Sequence, residues 1–375
     1  MVGGVTLPTP SPTPRPTPRL ADIAAQARVS EATASRVLNG KAGVAASTRQ
    51  RVLAALDVLG YERPVRLKRR SAGLVGLVIP ELTNPIFPAF AQIIEQSLAG
   101  HGYTPVLCTQ TPGGATEDEL VEQLEERGVT GIVFLSGLHA DTSADPSRYT
   151  RLTSRGVPYV LINGYNDRID APFVSPDDGA AARMAVHHLA ALGHVRIGLA
   201  VGPARYVPSR RKAEGFAAAL EESFGLSRGQ AERRIRHTLF SVEGGHAAAA
   251  ALLDDGCTGI VCGSDLMALG VVRAARQRGL DVPADLSVVG FDDSQLIAFT
   301  DPPLTTVRQP VQAMVTAAVG ALIEEIQGNP IRSPARSPAQ SPVRSPVRNP
   351  AQRTEFVFQP ELVVRGSTGP VRPPH

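Results

Sequence analysis

The chain has no tryptophan, only three cysteines and few aromatic residues of any kind among its 375 positions. The cysteines, Cys108, Cys257 and Cys262, are odd in number, and no pair has zinc-ligand spacing. That argues against a disulfide framework or a zinc knuckle. Cys108 and Cys262 lie inside apolar runs and read as buried small hydrophobes, as expected of a reducing compartment. No apolar run approaches the roughly 20 residues of a membrane helix. The first residues lack the hydrophobic stretch of a secretory signal. The expectation is a cytoplasmic protein without membrane contact. Catalytic signatures are missing as well: there is no G-x-S-x-G, no P-loop, and Gly198–Gly202 lacks G-x-G-x-x-G. The chain therefore reads as a non-enzyme, with no metal and no cofactor.

What is present is unevenly spread. The net charge is only +3, yet residues 19 to 70 carry eleven Lys and Arg against four Asp and Glu. A basic module on a body that is net acidic points to a polyanion as the partner of that module alone. A solvated charged face gives the same count. Residues 1–18 are a Pro/Thr-rich run that can form neither helix nor sheet and read as a disordered tail. Residues 329–352 repeat Arg-Ser-Pro with no acid and no apolar pattern, and read as a disordered insert. Residues 369–375 form a short tail.

Residues 19–62 read as three short helices. Leu20–Ala27 carries Ile23, Ala24 and Ala27 at helical spacing, and Arg28-Val29 is a turn. Ser30 caps a second helix that runs to Leu38, closed by Asn39-Gly40. Ser47 to Gln50 fits a capping box opening a third helix, with Val52, Leu53, Leu56 and Leu59 on one face. Two helices across a tight turn place the second in a major groove. Its outward residues are small or polar: Glu31, Ala32, Thr33, Ser35 and Arg36. Ala34, Val37 and Leu38 point inward. Arg36 has the fork that reads a guanine edge. An ordinary three-helix surface domain shares the pattern. Residues 63–73 are a basic hinge.

From Leu74 the pattern becomes strand–helix alternation. Leu74–Ile79, Pro105–Cys108, Gly131–Leu135, Tyr159–Ile162, Ile197–Val201, Gly259–Cys262 and Ser287–Phe291 are short continuous apolar runs, suited to strands buried on both faces of a parallel sheet. Helical segments lie between them, over about 85–101, 116–127, 177–192, 210–223, 243–254, 265–278 and 312–327. Residues 354–364 read as one or two strands returning to a sheet. Ligands of such sheets bind beyond the carboxyl ends of the strands. Asp292 stands at one such end, where its carboxylate can accept two hydrogen bonds from adjacent hydroxyls. A helix N-cap or a structural ion pair accounts for most aspartates so placed.

Asp22-Ile23-Ala24, Val29-Ser30, Thr33 to Gly40, Thr48-Arg49 and Leu59-Gly60-Tyr61 form a gap-free run that resembles the head-piece of the lactose/galactose repressor family. By that resemblance Glu31, Ala32 and Arg36 face bases, while Ser30, Thr33, Ser35, Asn39 and Thr48 face phosphates, and Tyr61 belongs to the same DNA-binding segment. Ala34 and Ala45 depart from the family pattern. So does the linker after Tyr61, which is about three residues short. There Leu67 is the apolar candidate for a minor-groove wedge, and the alternative is a basic arm from Arg66 to Arg70 that only binds phosphates.

Residues 74–368 also resemble that family, through Gly76 to Pro80 with Asn84-Pro85, Leu192-Gly193-His194, Ser264-Asp265, Ser287 to Asp293, Leu304 to Pro310 and Glu361 to Thr368. The resemblance implies an all-α helix-turn-helix head-piece plus an α/β effector domain of two lobes, like periplasmic binding proteins, joined by three crossovers. It implies a homodimer on palindromic operator DNA, controlled by a sugar-like effector in the cleft. Asn163, Ser264 and Asp292 occupy ligand positions, and Phe240 stands where an aromatic underlies the sugar ring. Phe87 and Gln309 line the cleft. Lys212 replaces the usual Arg, which implies either a differently oriented sugar or a phosphorylated or acidic effector. A transport-type sugar-binding protein is the alternative, disfavoured by the head-piece.

Overall fold

The computed structural model describes residues 19–38, 43–59, 71–110, 113–328 and 355–371. The polypeptide divides into two compact units, residues 1–69 and 70–375.

In the first unit the helices are α1 (Leu20–Ala27), α2 (Glu31–Leu38) and α3 (Ala46–Leu59). Arg28, in the left-handed region at φ 53°, stops α1 and turns the chain toward α2. Ser30 accepts a hydrogen bond from the Thr33 amide at 3.2 Å, the capping contact expected of it. The core is small: Ile23, Ala24, Ala27, Ala34, Val37, Val52 and Ala55 are buried together. Two expectations for α3 need correction. The helix opens at Ala46, before Ser47, because the Ala45 carbonyl already accepts from the Arg49 amide at 3.0 Å. Leu53 is 53% exposed. The buried stripe runs through Val52, Ala55, Leu56 and Leu59, a spacing of three and four residues, and Leu53 stands about 100° round the helix from it.

Among its described residues the second unit holds two six-stranded sheets. The first contains β1 (Gly73–Ile79), β2 (Tyr103–Thr109), β3 (Gly131–Leu135), β4 (Tyr159–Ile162), β5 (Phe173–Pro176) and β11 (Glu355–Phe358), all parallel, in the order β11-β5-β4-β3-β1-β2. The second contains β6 (Ile197–Val201), β7 (Ile235–His237), β8 (Gly259–Cys262), β9 (Ser287–Asp292), β10 (Thr305–Arg308) and β12 (Glu361–Val363), in the order β12-β10-β9-β8-β6-β7. Here β12 alone runs antiparallel, against β10. Helices α4 (Ile86–Gly100), α5 (Glu117–Glu126), α6 (Ser147–Ser154) and α12 (Val311–Ile326) cover the first sheet. Helices α7 (Asp178–Ala191), α8 (Val207–Phe224), α9 (Arg228–Glu232), α10 (Val242–Asp254) and α11 (Asp265–Gln277) cover the second.

Continuous apolar strands follow from this layering. In β1, Leu77 and Ile79 meet Phe90 and Leu98 of α4, while Val78 faces the opposite layer with Leu124 of α5. Both faces are dry, so the alternation of a half-buried strand is absent. Strand β2 is the exception. It lies at the edge, with Leu107 exposed and Cys108 only half-buried, so Cys108 is not the fully buried hydrophobe expected. Strands β5, β7 and β10 were not anticipated as strands. They are three or four residues long, too short for a periodic signal. Helix α6 was missed as well, and α8 begins at Val207, ahead of the expected Arg210, with Pro208 in its first turn.

Among the described residues the chain passes between lobes three times, as the family resemblance implies. Strand β5 leads into α7, β10 leads into α12, and β11 leads into β12. Residues 355–363 thus serve both sheets rather than one. The Asp177 amide bonds the Phe358 carbonyl at 2.7 Å and Gln359 donates to Asp177 at 3.1 Å. Among the described residues no helix is long and apolar enough to cross a membrane, and no cluster of His, Cys, Asp or Glu could hold a metal ion. The expected insert at 329–352, residues 63–70 of the hinge expected at 63–73, and the tail at 1–18 lie outside the described residues.

Candidate functional site

On α2, Glu31, Ala32 and Arg36 are exposed, while Thr33 and Ser35 are partly so. The inward side chains Ala34 and Val37 are buried, and Leu38 packs against them. The helix thus presents a short polar face with one guanidinium. Ser30 and Thr33 hydroxyls lie 2.9 Å apart. Thr48, on α3, accepts from the Arg51 guanidinium at 3.4 Å. Asn39, Tyr61 and Leu67 lie outside the described residues.

In the second unit a cavity of about 260 Å³ opens between the lobes, at the carboxyl ends of the strands. All seven expected effector residues line it: Phe87, Asn163, Lys212, Phe240, Ser264, Asp292 and Gln309. Asn163 directly follows β4 with φ 64°, and its Nδ2 donates to Ser136 Oγ at 3.2 Å. Its Oδ1 is buried with no partner. Gln309 directly follows β10 and donates from Nε2 to Asp292 Oδ1 at 2.6 Å, leaving Oε1 buried and unpartnered. A buried carbonyl without a donor costs free energy comparable to a lost hydrogen bond, so both oxygens are set to accept from an incoming group.

Asp292 closes β9 at φ 117°, and Asp293 follows at φ 58°. Such a conformation in a residue with a side chain stores strain, a feature that gathers at functional sites. Asp292 caps no helix; its recorded hydrogen bond is to Gln309. Burial holds its carboxyl well above the ordinary aspartate value. The neighbouring Asp265 adds to this, while the Gln309 bond and Lys212 oppose it. Asp265 itself is pushed up to about 6, mainly by burial. Ser264 caps α11, accepting from the Met267 amide at 3.3 Å. Its hydroxyl proton remains available to the cavity.

Lys212 is buried on α8 and pairs with Asp178 at the start of α7. Its ammonium also lies 3.8 Å from the centre of the Phe291 ring, within the range of a cation–π contact. Burial pushes the Asp178 carboxyl up and Lys212 pulls it down. The Phe240 ring packs directly on Gly202, where a β-carbon would fall 2.0 Å from a ring atom, so only glycine fits. Tyr206 lies against Phe240 with ring centres 6.4 Å apart.

Glu81, Asp178 and Tyr206 also line the cavity and were not singled out from sequence; Asn84, read only as part of the family motif, lines it too. The available signal was position. Glu81 follows β1 by two residues, Asp178 follows β5 by two, and Tyr206 lies in the connection after β6. At its rim the two lobes touch. Arg205 Nε donates to Asp141 Oδ2 at 2.8 Å, and the Thr142 amide bonds the Arg205 carbonyl at 2.9 Å.

Residues 19–63 match the bacterial regulatory proteins of the lacI family, and residues 186–368 match the periplasmic binding protein-like domain. The uncharacterized HTH-type transcriptional regulator in the aml 5′ region of Streptomyces limosus is 76% identical, over 97% of this chain and 98% of its own. Among solved structures, the transcriptional regulator CelR–cellobiose complex superposes with TM-score 0.66 at 30% identity, over 93% of this chain and 99% of its own. The lac repressor dimer bound to operator and the anti-inducer ONPF gives 0.62 at 25%, over 94% and 100%. Likeness of this extent, head-piece included, removes the transport-protein alternative: the chain belongs to the lacI family of bacterial regulatory proteins and is a helix-turn-helix transcriptional regulator.

Proposed function

We propose that the cleft takes a sugar-like effector whose binding changes the affinity of a homodimer for a palindromic operator. Asp292, Gln309, Asn163, Ser264 and Lys212 hydrogen-bond the hydroxyls, and Phe240 and Phe87 supply apolar walls. Arg36, Glu31 and Ala32 read base edges. Ser30, Thr33, Ser35, Asn39 and Thr48 contact the DNA backbone, Tyr61 belongs to the same DNA-binding segment, and Leu67 either wedges or yields to the basic arm. The protein works in the cytoplasm and catalyses nothing. The observation that carries the reading is the convergence of strand-end polar groups on one cavity, with two buried acceptors still wanting donors. The solved relatives with cellobiose, or with operator and anti-inducer, lend support. Because a ligand shifts an equilibrium only through differential affinity for its states, the effector acts by favouring one closure of the lobes.

The test is gel retardation of a palindromic operator fragment by the full chain, with and without a panel of neutral sugars. A shift in the retardation midpoint with one of them supports the reading. No operator binding, or binding indifferent to every sugar, overturns it.

A further inference from the structure

The cavity contains one cation, and that cation is already engaged. Among the described residues that line it, Lys212 is the only basic side chain, against the three carboxylates Glu81, Asp178 and Asp292. Asp178 and Lys212 are both nearly inaccessible, at 2% and 5%, and they face each other as an ion pair. Phe291 covers the ammonium from another side.

Two buried opposite charges in direct contact cancel most of each other's outward field, and breaking such a pair leaves an uncompensated buried charge. An anionic group entering this cleft would find no free cation. It would meet the Glu81 carboxylate and the two unpartnered carbonyls, Asn163 Oδ1 and Gln309 Oε1, all of them acceptors. A neutral polyol brings the donors those atoms lack. The sequence alone left open either a differently oriented sugar or a phosphorylated or acidic effector, because Lys212 stands where the family usually has Arg. The pairing partner, invisible in sequence, argues against the second.

We propose that Asp178 is a specificity-determining residue: by pairing with Lys212 it restricts the cleft to uncharged, hydroxyl-rich ligands and excludes their phosphate esters. This rests on the reading of the cleft as a sugar site. Removing the carboxylate while keeping the side chain's shape, as in Asp178→Asn, frees Lys212 to meet a phosphate.

Calorimetric titration of the full chain tests this, with glucose, ribose and cellobiose, each beside its monophosphate ester. The wild type is expected to bind at least one neutral sugar and to bind its ester at least about tenfold more weakly. Asp178→Asn should raise the ester-to-parent affinity ratio about tenfold or more, and Lys212→Met added to it should abolish that gain. Wild-type protein that binds an ester as tightly as the parent sugar overturns the proposal without any variant and leaves the sugar reading standing. A folded Asp178→Asn protein with unchanged discrimination also overturns it. If no sugar binds, esterified or not, the sugar reading falls and this proposal with it.

Discussion

Gln309 donates its side-chain amide to Asp292 at 2.6 Å, joining the residue after β10 to the last residue of β9. The bond fixes the Gln309 carbonyl in a position where it has no partner, and it orients the carboxylate that faces the cavity. Next to Gln309, at Pro310, the chain leaves one lobe for the other. On the proposed reading, a ligand held by this pair would pull on a crossover, a mechanical route from binding to lobe closure.

Truncation of Asp292 tests the ligand role. A hydrogen bond to a charged group is worth about 1.5–3 kcal/mol, so Asp292→Ala should weaken effector binding ten- to hundred-fold or more. Operator binding without effector should be unchanged, since the head-piece is a separate unit. Titrating effector against the protein–operator complex reads both. Equal midpoints for wild type and variant would show that Asp292 is structural.

Asp292 also predicts a pH dependence. In the unfolded chain its proton leaves near the ordinary value of 3.8, while burial in the folded chain holds it to higher pH. Between those values the folded state carries more protons than the unfolded state, so this residue lowers stability as pH rises. The deficit is complete above the folded value and absent below the unfolded one. Asp292→Asn should accordingly melt a few degrees higher than wild type near neutral pH, at about 2–4 °C per kcal/mol. The gain should vanish below about pH 4. Effector hydroxyls favour the ionised form, so wild-type affinity should rise with pH across the same window, while that of Asp292→Asn should not. Melting curves with parallel pH profiles for the two proteins would refute this.

The rim contact between Asp141 and Arg205 ties the lobes together. Arg205→Ala removes the ion pair and the stacking of the guanidinium on Tyr206, while the Asp141 turn with Ser143 stays intact. The expected result is a modest loss of effector affinity that mimics raised salt, because the Arg205 side chain is half-exposed and its charge is screened. An affinity that is unchanged, with a salt response also unchanged, would show that the contact does not contribute to closure.

On the DNA side, Arg36→Ala should remove a forked contact worth about 1–3 kcal/mol per half-site. The ratio of operator to random-sequence affinity should collapse while effector binding persists. Competition binding with scrambled duplex measures that ratio, and its survival would reassign Arg36 to the phosphates.

Six of the seven apolar runs read as strands survive almost to the residue, because a strand dry on both faces writes an uninterrupted apolar word. Short strands such as Phe173–Pro176 and Ile235–His237 write too little to be read. Asp292 was legible because it ends such a word, whereas Asn163 and Ser264, just beyond β4 and β8, were read from the family resemblance. Asp178 was not legible. Its importance comes from facing Lys212 across two packed helices, a contact 34 positions apart in sequence that no local pattern encodes. Leu53 failed for a simpler reason: adjacency to Val52 suggested a shared face that helical geometry denies.

The central claim is that the ligand state of the cleft controls operator affinity, and fluorescence anisotropy of a labelled palindromic operator tests it most directly. Full-length protein is titrated onto the operator alone and then with each neutral sugar that calorimetry shows to bind. The account predicts that such a sugar moves the operator dissociation constant of wild type by about 5- to 150-fold, and moves that of Asp292→Ala only at concentrations ten- to hundred-fold higher. A sugar that binds the cleft tightly and leaves operator affinity unchanged would contradict it.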